Sequence, residues 1–254
     1  MLQYFTLTAL VGAGVAWLNV PGGSMRARAA IVAEAKKTPE MPAALEALGP
    51  LRDDLELWLS MDTTKGGGLE WSRGSVRTVA SSEVQVGEED GRRWLDFSTG
   101  GAVVKFEPAL DLGTSYTLCT WMLLPSPRGH ALVWQGSKGQ GALLNVTPTG
   151  LYGWDEAAHA PVKYSPLPRG FGGWHHFAVS CDGTTTKAFL DGRECGTLAQ
   201  VLSKNVLSTG NHWMGAHQSW MMCAALDDQF IFRRALSEAE IRKVMDFPAP
   251  GTRR

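Results

Sequence analysis

Charge of one sign is what this sequence most lacks: 24 basic side chains stand against 25 acidic ones, a net charge of −1. No overall field draws such a chain to a polyanion, so nucleic acid is not expected as a partner. Cysteine is scarce. Cys119, Cys181, Cys195 and Cys223 form no CxxC pair and no Cys/His zinc spacing. The hairpin register places a third strand between Cys181 and Cys195, a separation of about 9–10 Å that a disulfide does not bridge. Mostly reduced, buried thiols are expected. The sequence also has no G-x-S-x-G elbow and no H-E-x-x-H helix, and Gly66–Gly68 is followed by no lysine-bearing helix. A nucleotide site is not supported, and no cofactor is required by any motif.

What is plentiful is punctuation. Twenty-nine Gly and 13 Pro, with ten Trp, suit many short strands joined by tight turns, which predicts an all-β fold. From Leu55 onward the chain is a series of short runs in which apolar residues alternate. In His176–Cys181 the residues Phe177, Val179 and Cys181 share one face, Asp182-Gly183 turns the chain, and Lys187–Leu190 returns to a second tight turn at Asp191-Gly192. Arg193–Cys195 then pairs back as a third antiparallel strand. Near the C-terminus Ser237 and Glu240 form an S-x-x-E capping box for a short helix reaching Met245, and Pro248 stops it.

These runs carry a resemblance. Trp174-His175-His176-Phe177-Ala178-Val179 through Asp182-Gly183 to Phe189-Leu190-Asp191-Gly192 resembles the most recognisable stretch of the laminin-G-like, concanavalin A-like jelly-roll family. Tyr116–Trp121 is similar to the family's central strand and Trp94–Phe97 to the strand before it. Ala225–Phe232 and the helix after it resemble the closing elements, with Leu55–Ser60 as a first strand beside the last. The resemblance implies a two-sheet antiparallel sandwich over 51–247 with a short C-terminal helix and a tail at 248–254. For function a fold likeness implies little.

Two segments lie outside that likeness. Residues 1–24 contain no charged side chain, and Leu2–Val20 is mostly apolar up to Pro21-Gly22-Gly23. As a helix this run would span about 28 Å, roughly one bilayer core. The reading favoured is an N-terminal apolar helix acting as a membrane anchor through Leu2, Phe5, Leu10, Val15, Trp17 and Leu18. Its rival is a cleaved signal peptide ending near Ala27-Arg28-Ala29, which lacks the usual basic n-region. Family habit places such sandwiches on the periplasmic or extracellular side. The basic residues following the apolar run point instead to the cytoplasmic or matrix side, so only membrane association is expected. Residues 25–50 read as a helical linker or arm broken by Pro39, Pro42 and Pro50.

Catalysis is not expected on two grounds. The paired-carboxylate strand of concanavalin-like glycoside hydrolases, E-x-D-x-E or E-x-D-x-x-E, is missing. Asp227 and Asp228 are neighbours whose side chains should point to opposite faces of a strand, whereas retaining hydrolysis needs carboxyls about 5 Å apart. By resemblance, Asp62 and Asp227 are candidate calcium ligands. Trp134, Trp154, Trp213 and Trp220 fall in or near loops, where an indole can stack on a sugar, anchor a protein partner or cover the core. The leading expectation is a non-catalytic, membrane-associated accessory subunit. It would touch the lipid bilayer through residues 1–24 and dock on proteins of a larger membrane assembly, respiratory or photosynthetic for example. The alternative is a lectin-like glycan-binding or adhesion protein using calcium.

Overall fold

The computed structural model describes residues 6–11, 14–19, 40–98, 102–124, 131–136, 143–147, 149–155, 158, 160–167, 172–210 and 225–247. The chain divides into two compact units, Met1–Glu40 with Arg73–Ser75, and Met41–Ser72 with Val76–Arg254.

In the first unit, β1 (Thr6–Val11) and β2 (Gly14–Asn19) pair antiparallel, with Thr6 opposite Asn19 and Val11 opposite Gly14. This corrects the expected helix over the apolar run. Thr6, Thr8, Val11, Val15 and Trp17 are β-branched or aromatic and favour extended backbone. Gly14, a poor helix former, begins β2 opposite Val11. Leu10 and Val15 are cross-strand partners, as are Leu7 and Leu18; Leu2 and Phe5 lie outside the described residues. Among the described residues no helix is long and apolar enough to cross a membrane.

The second unit is a sandwich of antiparallel sheets. In chain order its strands are β3 (Leu55–Leu59), β4 (Leu69–Ser72), β5 (Arg77–Ala80), β6 (Gln85–Glu89), β7 (Arg92–Asp96), β8 (Val103–Asp111) and β9 (Ser115–Leu124). They continue with β10 (Ala131–Leu132), β11 (Trp134–Gln135), β12 (Asn145–Thr147), β13 (Gly150–Asp155), β14 (Ala160–Pro166) and β15 (Gly173–Asp182). The last are β16 (Thr186–Leu190), β17 (Arg193–Leu198), β18 (Asn205–Gly210) and β19 (Ala225–Phe232).

A nine-stranded sheet runs β17-β16-β15-β9-β19-β3-β4, with β7 beside the start of β19 and β6 beyond it. Opposite it stand two four-stranded sheets, β10-β12-β13-β14 and β11-β18-β8-β5. The meander β15-β16-β17 and the pairing of first strand with last follow the sequence expectation. β16 separates Cys181 from Cys195, and both are free thiols, as is Cys119.

Alternation sets which residues enter the core. Leu118 and Met122 of β9 and Phe177, Val179 and Cys181 of β15 face the interior between the sheets. Their neighbours Cys119 and Ala178 face outward, where a second apolar cluster covers the sheet. That cover comes from a 3-10 helix, Ala43–Asp54, and from α1, Glu238–Met245. Ser237 caps α1 through the expected reciprocal bonds with Glu240. Leu45 and Leu48 are fully buried against the sheet, so the sandwich unit starts at Met41 and takes in the last turns of the helical arm. Each such leucine contributes about 2 kcal/mol of transfer free energy. Trp58 stacks on Phe230 with centroids 6.0 Å apart, and Phe247 closes over both edge-on.

Candidate functional site

The two helices cover one part of the outer face of the nine-stranded sheet. Another part of that face, over β7, β9, β15 and β19, carries aromatic and charged side chains. The register explains their meeting: Trp121 is directly opposite His176 on one side and Asp227 on the other, which aligns Asp227, Trp121 and His176 in a row across three strands. Trp174 precedes His176 by two residues and shares its face.

Arg92 and Trp94 come from β7, where Gly87 pairs with Trp94. A Cβ at Gly87 would fall within the indole of Trp94, so the missing side chain is what lets that ring lie over the neighbouring strand.

Arg92 holds the group together. Its Nε donates to Asp227 Oδ2 at 3.0 Å, and its guanidinium carbon lies 3.4 Å from the centroid of Trp174 and 5.5 Å from that of Trp121. Trp94 meets Trp174 edge-to-face, centroids 5.6 Å apart at 68°, and Trp121 meets His176 in the same manner at 5.5 Å. The three tryptophans are half-buried, whereas His176 and Asp227 are each 1% exposed. Burial pushes His176 down to about 4, so its ring is neutral at neutral pH. Burial, then the Asp228 carboxylate, push Asp227 up, and the Arg92 guanidinium pulls it back down. Arg92 Nη2 and His176 Nδ1 are buried without a hydrogen-bond partner among the described residues. Beside the row, His175 Nδ1 bonds Asp191 Oδ2 at 2.8 Å and the His176 amide donates to Asp191 Oδ1.

Asp228 departs from strand alternation. Its φ of 45° and the register shift between Asp227 and Phe230 mark a β-bulge. As a result Asp228, like Asp227, belongs to the outer side, where it accepts from Trp58 Nε1 at 3.0 Å. Gln229 turns inward to donate to Thr209. The expectation that Asp227 and Asp228 face opposite ways is thus corrected: the extra residue of the bulge shifts the alternation, and their charges interact.

The residues singled out from sequence are dispersed. Trp134 is fully buried in the core, directly opposite Thr209. Trp154 is half-buried on β13, in a different sheet, with its Nε1 buried and unpartnered among the described residues. Trp213 and Trp220 lie outside the described residues. Asp62 is close enough to Asp227 to raise it, but Asp227 is turned to Arg92. Calcium takes about six to eight oxygens, and among the described residues no group of three acidic, histidine or cysteine side chains comes together; these two carboxylates alone do not fit that ion.

A concavity of about 270 Å³ is lined by residues of β15 and β16 and by the start of α1, Phe189 and Leu236 among them. Its charged groups satisfy one another: Lys187 bonds Glu194 at 2.8 Å, and Asp182 accepts from the amides of Thr184 and Thr185.

A family model described as the concanavalin A-like lectin/glucanases superfamily matches residues 98–242. The chain belongs to this superfamily. No curated protein matches it. Among solved structures, this concanavalin A-like chain is similar to a Trypanosoma rangeli sialidase in complex with sialic acid, at 15% identity over 95% of this chain and 42% of that one, with a TM-score of 0.58. It is similar also to domain 4 of AbnA, an extracellular arabinanase of Geobacillus stearothermophilus in complex with arabinotriose, at 13% identity, 75% and 98% coverage and a TM-score of 0.55. A third is the binding domain of botulinum neurotoxin serotype D, at 14% identity, 78% and 53% coverage and a TM-score of 0.57. The chain spans about a third of the length of two further sialidase structures that it matches, 34% and 33%. At such identities the likeness establishes the fold. It also corrects the expectation of a non-enzyme: sialidases share this architecture over 33–40% of their length, so the fold does not exclude catalysis, and with the bulge at Asp228 one of the two grounds for excluding it is gone.

Arg92, Trp94, Trp121 and Trp174 do not stand out in the sequence as a site; the three tryptophans fall in the runs that resemble the family's strands. The available signal was parity: once Phe177, Val179 and Cys181 are placed inward, Trp174 and His176 must face out.

Proposed function

We propose that this protein is a lectin-like module that binds glycan on the outer face of its nine-stranded sheet. The observation that carries the reading is the gathering of Trp94, Trp121 and Trp174, all half-buried, around Arg92. An indole presents an apolar face to the C–H side of a sugar ring, and nearby polar groups bond its hydroxyls. Superfamily membership and the carbohydrate-complexed neighbours support the reading without fixing the sugar. The test is a glycan array probed with the full chain, with and without calcium, and read for released sugar as well as for binding. Saturable binding that Trp174→Ala weakens about tenfold is the expected result. An array with no signal overturns the proposal, and release of sugar would extend it from binding to hydrolysis.

A second reading concerns the N-terminal hairpin. A two-stranded hairpin is marginally stable in water on its own, and residues 1–25 carry no charge. A lipid surface or a membrane protein would support it. The full chain should then float with phosphatidylcholine vesicles where a chain starting at Met41 stays at the bottom of the gradient; equal flotation of the two removes this reading.

A further inference from the structure

We infer that the tryptophan cluster takes a single terminal sugar in a corner and does not hold an extended polysaccharide along a platform. The inference rests on the glycan-binding reading and deepens it. A platform for a chain of sugars needs aromatic faces that are roughly parallel and spaced along an axis, so that successive rings each find a face. Here Trp94 and Trp174 stand at 68° with centroids 5.6 Å apart, which is the geometry of two walls meeting. One face of Trp174 is already taken by the Arg92 guanidinium at 3.4 Å. Trp121 adds no second stacking plane further along, because it borders the same guanidinium at 5.5 Å and meets His176 edge-to-face. Among the described residues, the other half-buried indole of the sandwich, Trp154, belongs to another sheet.

Unmatched polar groups border the same cluster, Arg92 against Trp174 and His176 against Trp121. His176 is 1% exposed and its Nδ1 has no hydrogen-bond partner among the described residues, as is true of Arg92 Nη2. Buried donors and acceptors left unmatched cost free energy that a bound hydroxyl can recover. A hydroxyl both donates and accepts, so it can serve the guanidinium N–H and either tautomer of the neutral imidazole. A sugar ring end brings several hydroxyls within one small volume, whereas an internal residue of a chain spends two of its oxygens on linkages. The groove beyond α1 offers no continuation, since Lys187, Glu194 and Asp182 there are matched to one another or to backbone.

The experiment is titration calorimetry of the full chain with gluco-, galacto- and arabino-oligosaccharides of one to six units, together with sialyllactose. The expected result is an affinity that is reached with one or two units and changes less than about twofold on further lengthening. Trp94→Ala and Trp174→Ala should each lose about tenfold, and Trp94→Phe, which keeps an aromatic wall, should lose less. Thermal melts of the variants separate lost binding from lost folding. Affinity that climbs with every added unit overturns the corner while leaving the protein a glycan binder. Absence of binding across this series and across the array overturns both readings together.

Discussion

Trp121 and Asp227 sit directly opposite each other on β9 and β19, and Arg92 spans the two, bonded to the carboxylate at 3.0 Å and lying 5.5 Å from the indole centroid. Both charges are removed from water, the Arg92 side chain being 17% exposed and that of Asp227 2%. Removing one partner of such a pair leaves the other buried alone. Arg92→Ala should therefore cost about 3 kcal/mol in urea unfolding. Asp227→Asn in the same chain should recover part of that loss, since it removes the abandoned carboxylate. A double variant no better than Arg92→Ala alone would show that the loss comes from the lost stacking on Trp174.

His176 gives the fold an acid limit. Its folded-state value, pushed down to about 4 from 6.5, lies below that of the unfolded chain, so the unfolded state binds the extra proton between these values. The contribution is complete above about pH 6.5 and is lost as pH falls toward 4, by about 3 kcal/mol in all. Asp227, raised by burial, acts in the opposite sense over its own range, and comparison with a variant isolates the histidine. In His176→Asn the stability difference between pH 7 and pH 4.5 should shrink by about 2 kcal/mol. An unchanged difference would assign the acid limb to other groups.

Gly87 holds Trp94 in place by having no side chain. Gly87→Val inserts atoms where the indole lies, so Trp94 must leave Trp174 or the hairpin of β6 and β7 must shift. Expected outcomes are a change in tryptophan fluorescence and a loss of glycan affinity near that of Trp94→Ala, with a melting temperature lowered only modestly because the hairpin is at an edge. Retention of full affinity would exclude Trp94 from the corner.

The 3-10 helix is part of the sandwich. Leu48 is fully buried among Leu45, Leu51 and the outer apolar cluster. Leu48→Ala should destabilise by about 3 kcal/mol, the usual cost of a leucine cavity. A neutral substitution would mean that residues 41–54 are separable from the domain.

Much of this was legible in the sequence, for reasons that are local. The β15-β16-β17 meander is written in two Asp-Gly turns and an alternating strand, and α1 in the pairing of Ser237 with Glu240. Both depend on residues a few positions apart. The site was not legible because its parts are distant: Arg92 and Asp227 are 135 positions apart, and only strand order and register bring them together. The bulge at Asp228 escaped for a related reason, since alternation read along one strand cannot reveal an extra residue counted against its partners. In the apolar N-terminus, length and hydropathy do not distinguish a helix from a hairpin when glycines sit at the midpoint.

The pleat of β9 and β15 has one more consequence, for protein engineering. Leu118, Met122, Phe177 and Val179 hold the interior, while Trp121 and Trp174 occupy the alternate positions of the same strands. Positions 94, 121 and 174 can therefore be varied as a library without rewriting the packing that makes the chain fold. The scaffold should tolerate repeated exchange of what it recognises, in the way that antibody frameworks tolerate new loops, except that here the variable surface would be carried by the strands themselves.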